Sequence, residues 1–176
     1  MPGASSTASD PLLGYLMVVE PREAVFVGGL LITTMRGRPL EFHCTAPVTP
    51  NPTQRMLFGR TLRSHVCGEV IGGALLKKAA AKPSLLLLDD TAALDLREAS
   101  GCPVAVVYDD DRNAAEPVDA PADAFVLGPL TLGVHAAYLE DVGQIRALGL
   151  DEDADLAEPL ERVREALGQT LRADAA

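Results

Sequence analysis

Four leucines followed by two aspartates, at residues 85–90, are the part of this sequence best suited to carry chemistry. A short run that is apolar at every position is typical of a buried, central strand in a parallel sheet. In such sheets ligands bind beyond the carboxyl ends of the strands. Asp89 and Asp90 therefore stand where an α/β protein usually carries its functional groups.

Acidic residues also end two other predicted strands. Glu20 follows the first strand, and Asp109, Asp110 and Asp111 follow the strand after Asp90. If the strand that ends at Glu20 lies beside the one that ends at Asp89, Glu20, Asp89 and Asp90 become candidates to hold Mg²⁺. This ion needs one or two carboxylates and takes water as its remaining ligands. The alternative is that these acids only cap helices and solvate turns.

The N-terminal elements are predicted from hydrophobic periodicity. Strand-like runs at residues 12–20, 24–35 and 39–46, with a tight turn at 36–38, indicate a three-stranded antiparallel meander. A helical pattern follows in two pieces, at residues 53–61 and 67–82, with an interruption near 63–66. The glycine pairs at 28–29 and 72–73 are expected to allow close packing of backbone.

The second half of the chain alternates strands and helices. Strand 84–88, a short helix at 91–99 and strand 104–108 form a βαβ unit, which makes the two strands parallel. A strand at 125–132 and helices at 136–148 and 156–171 are predicted beyond it. The last helix carries an apolar stripe that we expect to dock on the sheet of the same chain, made of Leu156, Leu160, Val163, Leu167 and Leu171. The alternative is that a partner covers this stripe.

The 176 residues fit one globular domain. Residues 1–10 read as a disordered leader, residues 11–176 as a single α/β domain, and residues 109–123 as an acidic loop. No apolar run approaches the roughly 20 residues that span a bilayer. The leader has no basic start of a secretory signal, and the three cysteines lack paired spacing, so we expect a cytoplasmic protein with reduced thiols.

Charge is divided unevenly along the chain. Residues 1–82 carry nine Lys and Arg against five Asp and Glu, whereas residues 83–176 carry six against twenty. The basic half is a candidate contact surface for nucleic acid or an acidic partner, through Arg36, Arg38, Arg55, Arg60 and Arg63. The alternative is that the basic half packs against the chain's own acidic half or is simply solvated.

Other site chemistries have weaker support. His43 and Cys44 are adjacent on a strand and point to opposite faces, and His65 and Cys67 add no paired zinc spacing. A nucleophile built from Cys67 or Cys102 with His65 or His135 rests on composition alone. Neither of the glycine-rich phosphate-binding motifs is present. We expect these cysteines and histidines to belong to the core.

The order of elements resembles the ribonuclease H-like fold and, within it, endonuclease V. The resemblance lies in the meander, the helical stretch, PSLLLLDD at residues 83–90, the short helix and GCPVAVVYD at 101–109. It implies a Mg²⁺-dependent nuclease with Asp89 as the acid that ends the fourth strand. The resemblance further implies that Glu69 corresponds to the acid that precedes the main helix in that family. Glu20 is the nearest counterpart of an Asp that lies inside the family's first strand.

Two functions follow from these observations. The missing first-strand Asp, the opposed charges and the apolar stripe favour a non-catalytic cytoplasmic subunit or protein-interaction module without a cofactor, with a protein partner or a second copy. The strand-end acids and basic residues favour the alternative, a metal-dependent nuclease of ribonuclease H-like type that acts on nucleic acid. Its catalytic residues are then Glu20, Glu69 and Asp89, with Mg²⁺ as the cofactor. In both cases the predicted fold is an α/β domain with a mixed sheet and helices on both faces of the sheet.

Overall fold

The computed structural model describes residues 9–108 and 123–175, which form a mixed sheet of seven strands. Across the sheet the strands lie in the order β3-β2-β1-β4-β5-β7-β6. Along the chain they are β1 Leu12–Arg22, β2 Val25–Thr34, β3 Pro39–Cys44, β4 Leu85–Leu88, β5 Val104–Tyr108, β6 Ala124–Leu127 and β7 Leu130–Val134.

Two sequence predictions fall largely outside the described residues. The predicted leader is described only from residue 9, and the predicted acidic loop only at residue 123. Asp109, Asp110 and Asp111 also lie outside the described residues. The assignment of residues 11–176 to one domain stays a prediction.

Strand pairing confirms the predicted meander and the parallel βαβ unit. β1 pairs antiparallel with β2, and β2 with β3. β1 and β4 are parallel neighbours, as are β4 and β5. Leu16 of β1 lies opposite Leu88 of β4, so the carboxyl end of β4 lies beside the second half of β1. The first and fourth strands are therefore neighbours, as a shared site at Glu20 and Asp89 requires.

β4 is buried on both faces, as its sequence predicts. Leu85 and Leu87 belong to one core cluster, Leu86 and Leu88 to the other, and all four are fully buried. Side chains of a strand alternate between the two faces of a sheet, so a strand of four leucines contributes equally to two cores. This position makes β4 the central strand of the fold.

Helices cover both faces of the sheet. On the face of Leu85 and Leu87 lie α5 Asp141–Ala147 and α6 Glu158–Asp174. On the opposite face lie α2 Leu62–Ser64, a π-helical segment His65–Gly72, α3 Gly73–Lys78, a 3₁₀ helix Thr91–Leu96 and α4 Arg97–Ser100. α1 Pro52–Phe58 precedes this series and has no buried residue. In the described parts of the chain, none of the helices has the length and apolarity to span a membrane.

The predicted interruption of the helical stretch near residues 63–66 is wrong. The chain is helical without a break from Leu62 to Lys78, and the break lies earlier, in the 3₁₀ turn Gly59–Thr61. Gly59 has a φ of 51°, a backbone conformation that glycine adopts without strain. Residues 63–66 contain neither Gly nor Pro and their Val66 is buried, so packing keeps them helical.

Close packing explains one glycine of each predicted pair, Gly28 and Gly72, whereas a Cβ on Gly73 would meet no described neighbour within 4 Å. A Cβ on Gly28 of β2 would collide with the Ile71 side chain. A Cβ on Gly72 would lie 2.7 Å from Leu96 Cδ2, closer than real Cβ atoms approach. The π-helical segment therefore sits against β2 on one side and against the 3₁₀ helix on the other.

The C-terminal third differs most from its prediction. The predicted single strand at 125–132 is a hairpin, β6 and β7, in which Gly128 turns the chain with a φ of 57°. β7 pairs antiparallel with β5, so parallel pairing ends at β5. The helix predicted from residue 136 begins at Asp141. His135 accepts a hydrogen bond from the Ala137 amide, and this local turn competes with helix formation.

The apolar stripe of α6 docks on the sheet of its own chain, as predicted. Leu160, Val163 and Leu167 are buried with Leu87 and Leu132 in the same cluster. Arg162 lies outside the stripe and donates a hydrogen bond to the Gly37 carbonyl in the β2–β3 turn. α6 therefore lies across β1 and β2.

Candidate functional site

The two aspartates after β4 point to opposite faces of the sheet. Asp90 accepts a hydrogen bond from Arg63 of α2 at 2.6 Å, and Asp89 lies 3.9 Å from the Arg164 guanidinium of α6. α2 and α6 cover opposite faces, so each carboxylate meets an arginine from its own side. Asp90 also caps the 3₁₀ helix, because its Oδ1 accepts from the Ala92 amide at 2.8 Å.

Glu20 lies near the same edge of the sheet, close to the end of β1. Its Oε1 accepts a hydrogen bond from the Ala24 amide at 2.8 Å, across the turn to β2. Ala24 has a φ of 57° without being glycine, so this hydrogen bond supports a strained turn. The second oxygen, Oε2, lies 3.4 Å from Nη1 of Arg63.

Arg63 connects the two strand ends. Its Nη1 faces Glu20 and its Nη2 faces Asp90, so one guanidinium lies between carboxylates that follow two neighbouring strands. The side chain is 46% exposed, and the Glu20 contact is long for a hydrogen bond. The structure thus brings together Glu20, Asp90 and Arg63 of the predicted residues, with Asp89 beside Asp90 on the other face.

Electrostatics at this edge act most strongly on Asp89. Burial and the neighbouring Asp90 charge raise the pKa of Asp89 to about 7, and Arg164 opposes the increase. A carboxyl with such a pKa is partly protonated at neutral pH. Strongly shifted carboxyls in a cleft or at a sheet edge are candidates for a functional role. The charge of Asp89 can therefore change with small changes in pH around neutrality.

Glu69 lies on the π-helical segment, where its side chain contacts His65 rather than the other acids of the described residues. Its side chain is 72% exposed, and Oε2 is 3.1 Å from Nδ1 of His65. The His65 ring stacks on Phe58, with ring centres 4.1 Å apart. The predicted catalytic role of Glu69 stays a prediction.

Cys67 and Cys102, the two candidate nucleophiles, have little capacity to react. Burial raises the pKa of Cys67 to about 11, and burial also raises the pKa of Cys102. Thiolates are therefore scarce at neutral pH, and the thiolate is the reactive form. His43 Nε2 donates a hydrogen bond to Glu41 Oε2 at 2.7 Å, on the strand face opposite Cys44. These contacts fit core and surface roles rather than a zinc site.

The five candidate arginines do not form one surface. Arg36 and Arg38 lie in the turn after β2, next to the amino-terminal end of β1 and so at the sheet edge opposite Glu20. Arg55, Arg60 and Arg63 lie on the helical stretch of residues 52–78, and all three are exposed. Arg63 is the one that contacts Glu20 and Asp90. Met56 and Leu57, 81% and 78% exposed, lie beside Arg55 on α1.

Arg164 is the residue of this edge that the sequence did not single out. The sequence places it on the polar side of the α6 stripe, which also describes several other charged residues of that helix. Its proximity to Asp89 depends on how α6 crosses the sheet, and no local pattern encodes that crossing. Within residues 9–108 and 123–175, no three His, Cys, Asp or Glu side chains are grouped to hold a metal ion.

No protein-family model and no curated protein sequence matches the chain. Among solved structures, the chain is similar to an endonuclease V variant from Ciona intestinalis in complex with a 23mer DNA containing an inosine followed by a ribo-adenosine. That match has 12% identity and a TM-score of 0.52, and covers 92% of this chain and 86% of the other. Human endonuclease V matches at 15% identity with a TM-score of 0.48, over 94% and 86%. The chain therefore has a ribonuclease H-like, endonuclease V-like fold, as its order of elements predicts.

Proposed function

We propose that the protein acts on nucleic acid as a metal-dependent nuclease of ribonuclease H-like type. The observation that carries the proposal is the meeting of Glu20 and Asp90 at one guanidinium, with Asp89 adjacent, at the carboxyl edge of β1 and β4. A structure with this fold, endonuclease V from Ciona intestinalis, contains DNA. The fold similarity favours this function over the non-catalytic module that the sequence pattern favours.

The residues at this edge fit a divalent cation by the chemistry of their oxygens. Glu20 and Asp90 both contact one positive group, the Arg63 guanidinium, so their oxygens already bind positive charge at this edge. Mg²⁺ is commonly bound by one or two carboxylates together with water. Glu20 and Asp90 would hold the ion, with Asp89 nearby. Such an ion, when bound, stabilises charge on a phosphate and lowers the pKa of a bound water.

The chain's own residues would position the nucleic acid. Arg55 and Arg60 are exposed on the helical stretch that also carries Arg63, and their guanidinium groups suit paired hydrogen bonds to phosphate oxygens. The exposed Met56 and Leu57 offer apolar contact next to these charges. Arg164 restrains Asp89 from the opposite face. Arg55, Arg60, Met56 and Leu57 would orient a phosphodiester on the face of the sheet that carries Glu20 and Asp90.

A second candidate is a relative that binds nucleic acid or a protein without cleaving anything. The observation in its favour is that each of the three acids is already close to an arginine: Glu20 and Asp90 to Arg63, and Asp89 to Arg164. Glu69, the fourth candidate acid, contacts His65 instead. On this reading, arginines permanently supply the charge that a cation supplies in a nuclease.

A cleavage and binding assay separates the two candidates. Labelled single-stranded and duplex DNA and RNA, including a DNA that contains inosine, are incubated with the protein and Mg²⁺, Mn²⁺ or a chelator. The first candidate predicts metal-dependent cleavage that Asp89→Asn and Asp90→Asn abolish. Glu98→Gln, a change of an exposed acid on α4, is the matched control and should leave cleavage intact.

Each result of the assay has one interpretation. Binding of nucleic acid without cleavage under any metal condition supports the silent relative. Cleavage that survives both Asp89→Asn and Asp90→Asn places the reaction elsewhere and rejects the site. Absence of both binding and cleavage at low salt rejects a nucleic-acid function and leaves the protein-interaction module.

A further inference from the structure

Arg63 holds the position between two carboxylates that an external cation would need. Its Nη1 lies 3.4 Å from Glu20 Oε2 and its Nη2 lies 2.6 Å from Asp90 Oδ2. The two acids come from different elements, β1 and the segment after β4, and Arg63 comes from a third, α2. The contact is therefore made by tertiary packing and not by a local helix pair.

Both carboxylates are held in place independently of Arg63. Glu20 Oε1 accepts from the Ala24 amide and Asp90 Oδ1 accepts from the Ala92 amide, each at 2.8 Å. Each acid thus uses one oxygen for a backbone hydrogen bond and turns the other towards the guanidinium. Removing Arg63 would leave two oriented oxygens whose positive partner is missing.

The guanidinium is itself easy to displace. The Arg63 side chain is 46% exposed, and exposed ion pairs contribute little to stability because water screens them. Of the contacts to Glu20 and Asp90, the one to Asp90 is short and the one to Glu20 is long. The arginine side chain is long, and a phosphate offers its guanidinium two parallel charge-assisted hydrogen bonds. A nucleic-acid phosphate near α2 is therefore a strong competitor for Arg63.

We infer that Arg63 is an internal cation that competes with a divalent cation for Glu20 and Asp90. In the free protein Arg63 occupies the carboxylates and keeps cation affinity low. A phosphate that binds Arg63 releases both acids, so phosphate binding and cation binding strengthen each other. The inference deepens the proposed function and rests on it for the identity of the phosphate. Cation competition itself does not depend on nucleic acid.

The test measures cation binding by the full chain without nucleic acid. Mn²⁺ is titrated into chelator-treated protein, and bound ion is followed by electron paramagnetic resonance and calorimetry. Arg63→Ala and Arg63→Gln should bind one Mn²⁺ about tenfold more tightly than the unmodified chain, within the usual range of coupled sites. Arg63→Lys should give a smaller gain because it keeps the positive charge.

Two further variants locate the effect. Arg172→Ala removes one exposed positive charge from the end of α6, so it controls for the change in net charge and should leave Mn²⁺ affinity unaltered. Glu20→Gln combined with Arg63→Ala should lose the gain, because one of the released oxygens is gone. Thermal unfolding of each variant verifies that it is folded before titration.

The outcomes for Arg63 and for the proposed function are distinguishable. Equal Mn²⁺ affinity in the unmodified chain and both folded Arg63 variants would overturn the inference. An equal gain in Arg172→Ala, or a gain that persists in the double variant, would also overturn it. If the Mn²⁺ gain appears but the unmodified protein neither binds nor cleaves nucleic acid, Arg63 competes as inferred and the proposed function is the part that fails.

Discussion

Asp141 and Arg97 form a buried, two-pronged ion pair that connects α5 to α4. Arg97 Nε donates to Asp141 Oδ2 at 2.7 Å, and Nη2 donates to Oδ1 at 2.9 Å. The Asp141 side chain is fully buried, and the Val104 amide of β5 also lies 3.4 Å from Oδ2. The Arg97 guanidinium is 4.6 Å above the Tyr138 ring centre. One carboxylate therefore joins the βαβ crossover to the C-terminal region.

Replacing Asp141 by Ala should lower the free energy of unfolding by about 3 to 5 kcal/mol, because it leaves a largely buried guanidinium without its partner. Denaturant unfolding measures the loss. Glu140→Ala changes the adjacent, exposed acid and should alter stability by less than about 0.5 kcal/mol. A loss at Asp141 no larger than at Glu140 would show that the pair is not needed for stability.

Replacing Leu86 by Ala should cost about 2 to 5 kcal/mol, because this fully buried side chain fills the core between β4 and the π-helical segment. Chemical denaturation of the purified variant gives the value. Leu57→Ala is the comparison, since Leu57 is 78% exposed and should matter little. A cost below about 0.5 kcal/mol at Leu86 would contradict a central position for β4.

Asp89 should make the metal-free protein less stable as the pH rises. Its pKa is raised to about 7 in the folded state by burial and by Asp90, whereas the unfolded chain ionises near pH 4. Below about pH 4, Asp89 is protonated in both states and its contribution to the stability of the folded state is complete. Between about pH 4 and pH 7 the unfolded chain has lost a proton that the folded state still holds, so this contribution decreases as the pH rises. It disappears as the pH passes 7.

Asp89→Asn should therefore raise the melting temperature at pH 8 and have almost no effect at pH 3.5. One pKa unit corresponds to about 1.4 kcal/mol, which limits the gain to about 4 kcal/mol. Thermal scans in chelating buffer across this pH range measure it, with Asp174→Asn at the exposed chain end as the control. A constant difference between Asp89→Asn and the unmodified protein at all pH values would contradict the raised pKa.

Nucleic-acid binding should depend steeply on salt through Arg55, Arg60 and Arg63, the exposed arginines of the helical stretch that contacts Glu20 and Asp90. Each lost phosphate contact reduces the slope of log affinity against log salt by about 0.9 for duplex DNA. Replacing Arg55, Arg60 and Arg63 together by Ala should thus flatten the slope by about two to three units in a chelator-containing titration. Arg36→Ala with Arg38→Ala is the comparison, because these residues lie at the opposite edge of the sheet. A larger effect of that pair would place nucleic acid at the other edge.

The strands that could be predicted from sequence are those whose burial pattern is local. Val104–Tyr108 matches its predicted bounds, and the four leucines of β4 showed by themselves that both faces of the strand are buried. Two-residue alternation and four-residue apolar runs are properties of consecutive residues, so they can be read without knowing the fold. The stripe of α6 is readable for the same reason, since its spacing alone defines one face.

Helix bounds and the last strands depended on competing local interactions. Because of the hydrogen-bonded turn at His135, α5 begins only at Asp141. Gly128 divides the predicted strand at 125–132 into β6 and β7. A single glycine is compatible with either an irregular strand or a turn. The antiparallel partner of β7, which is β5, lies far along the chain and decides between them.

The sequence by itself determined the order of the strands from β1 to β5, the central strand and the acids that follow β1 and β4, because each is set by neighbouring residues. Tertiary structure alone decided how those acids are paired. Asp89 and Asp90 are adjacent in the chain but face α6 and α2 on opposite sides of the sheet. Arg63 lies 43 residues from Glu20 and 27 from Asp90, yet its guanidinium lies between them. Only the packing of helices on both faces creates these contacts, since side-chain partners at such separations have no local pattern.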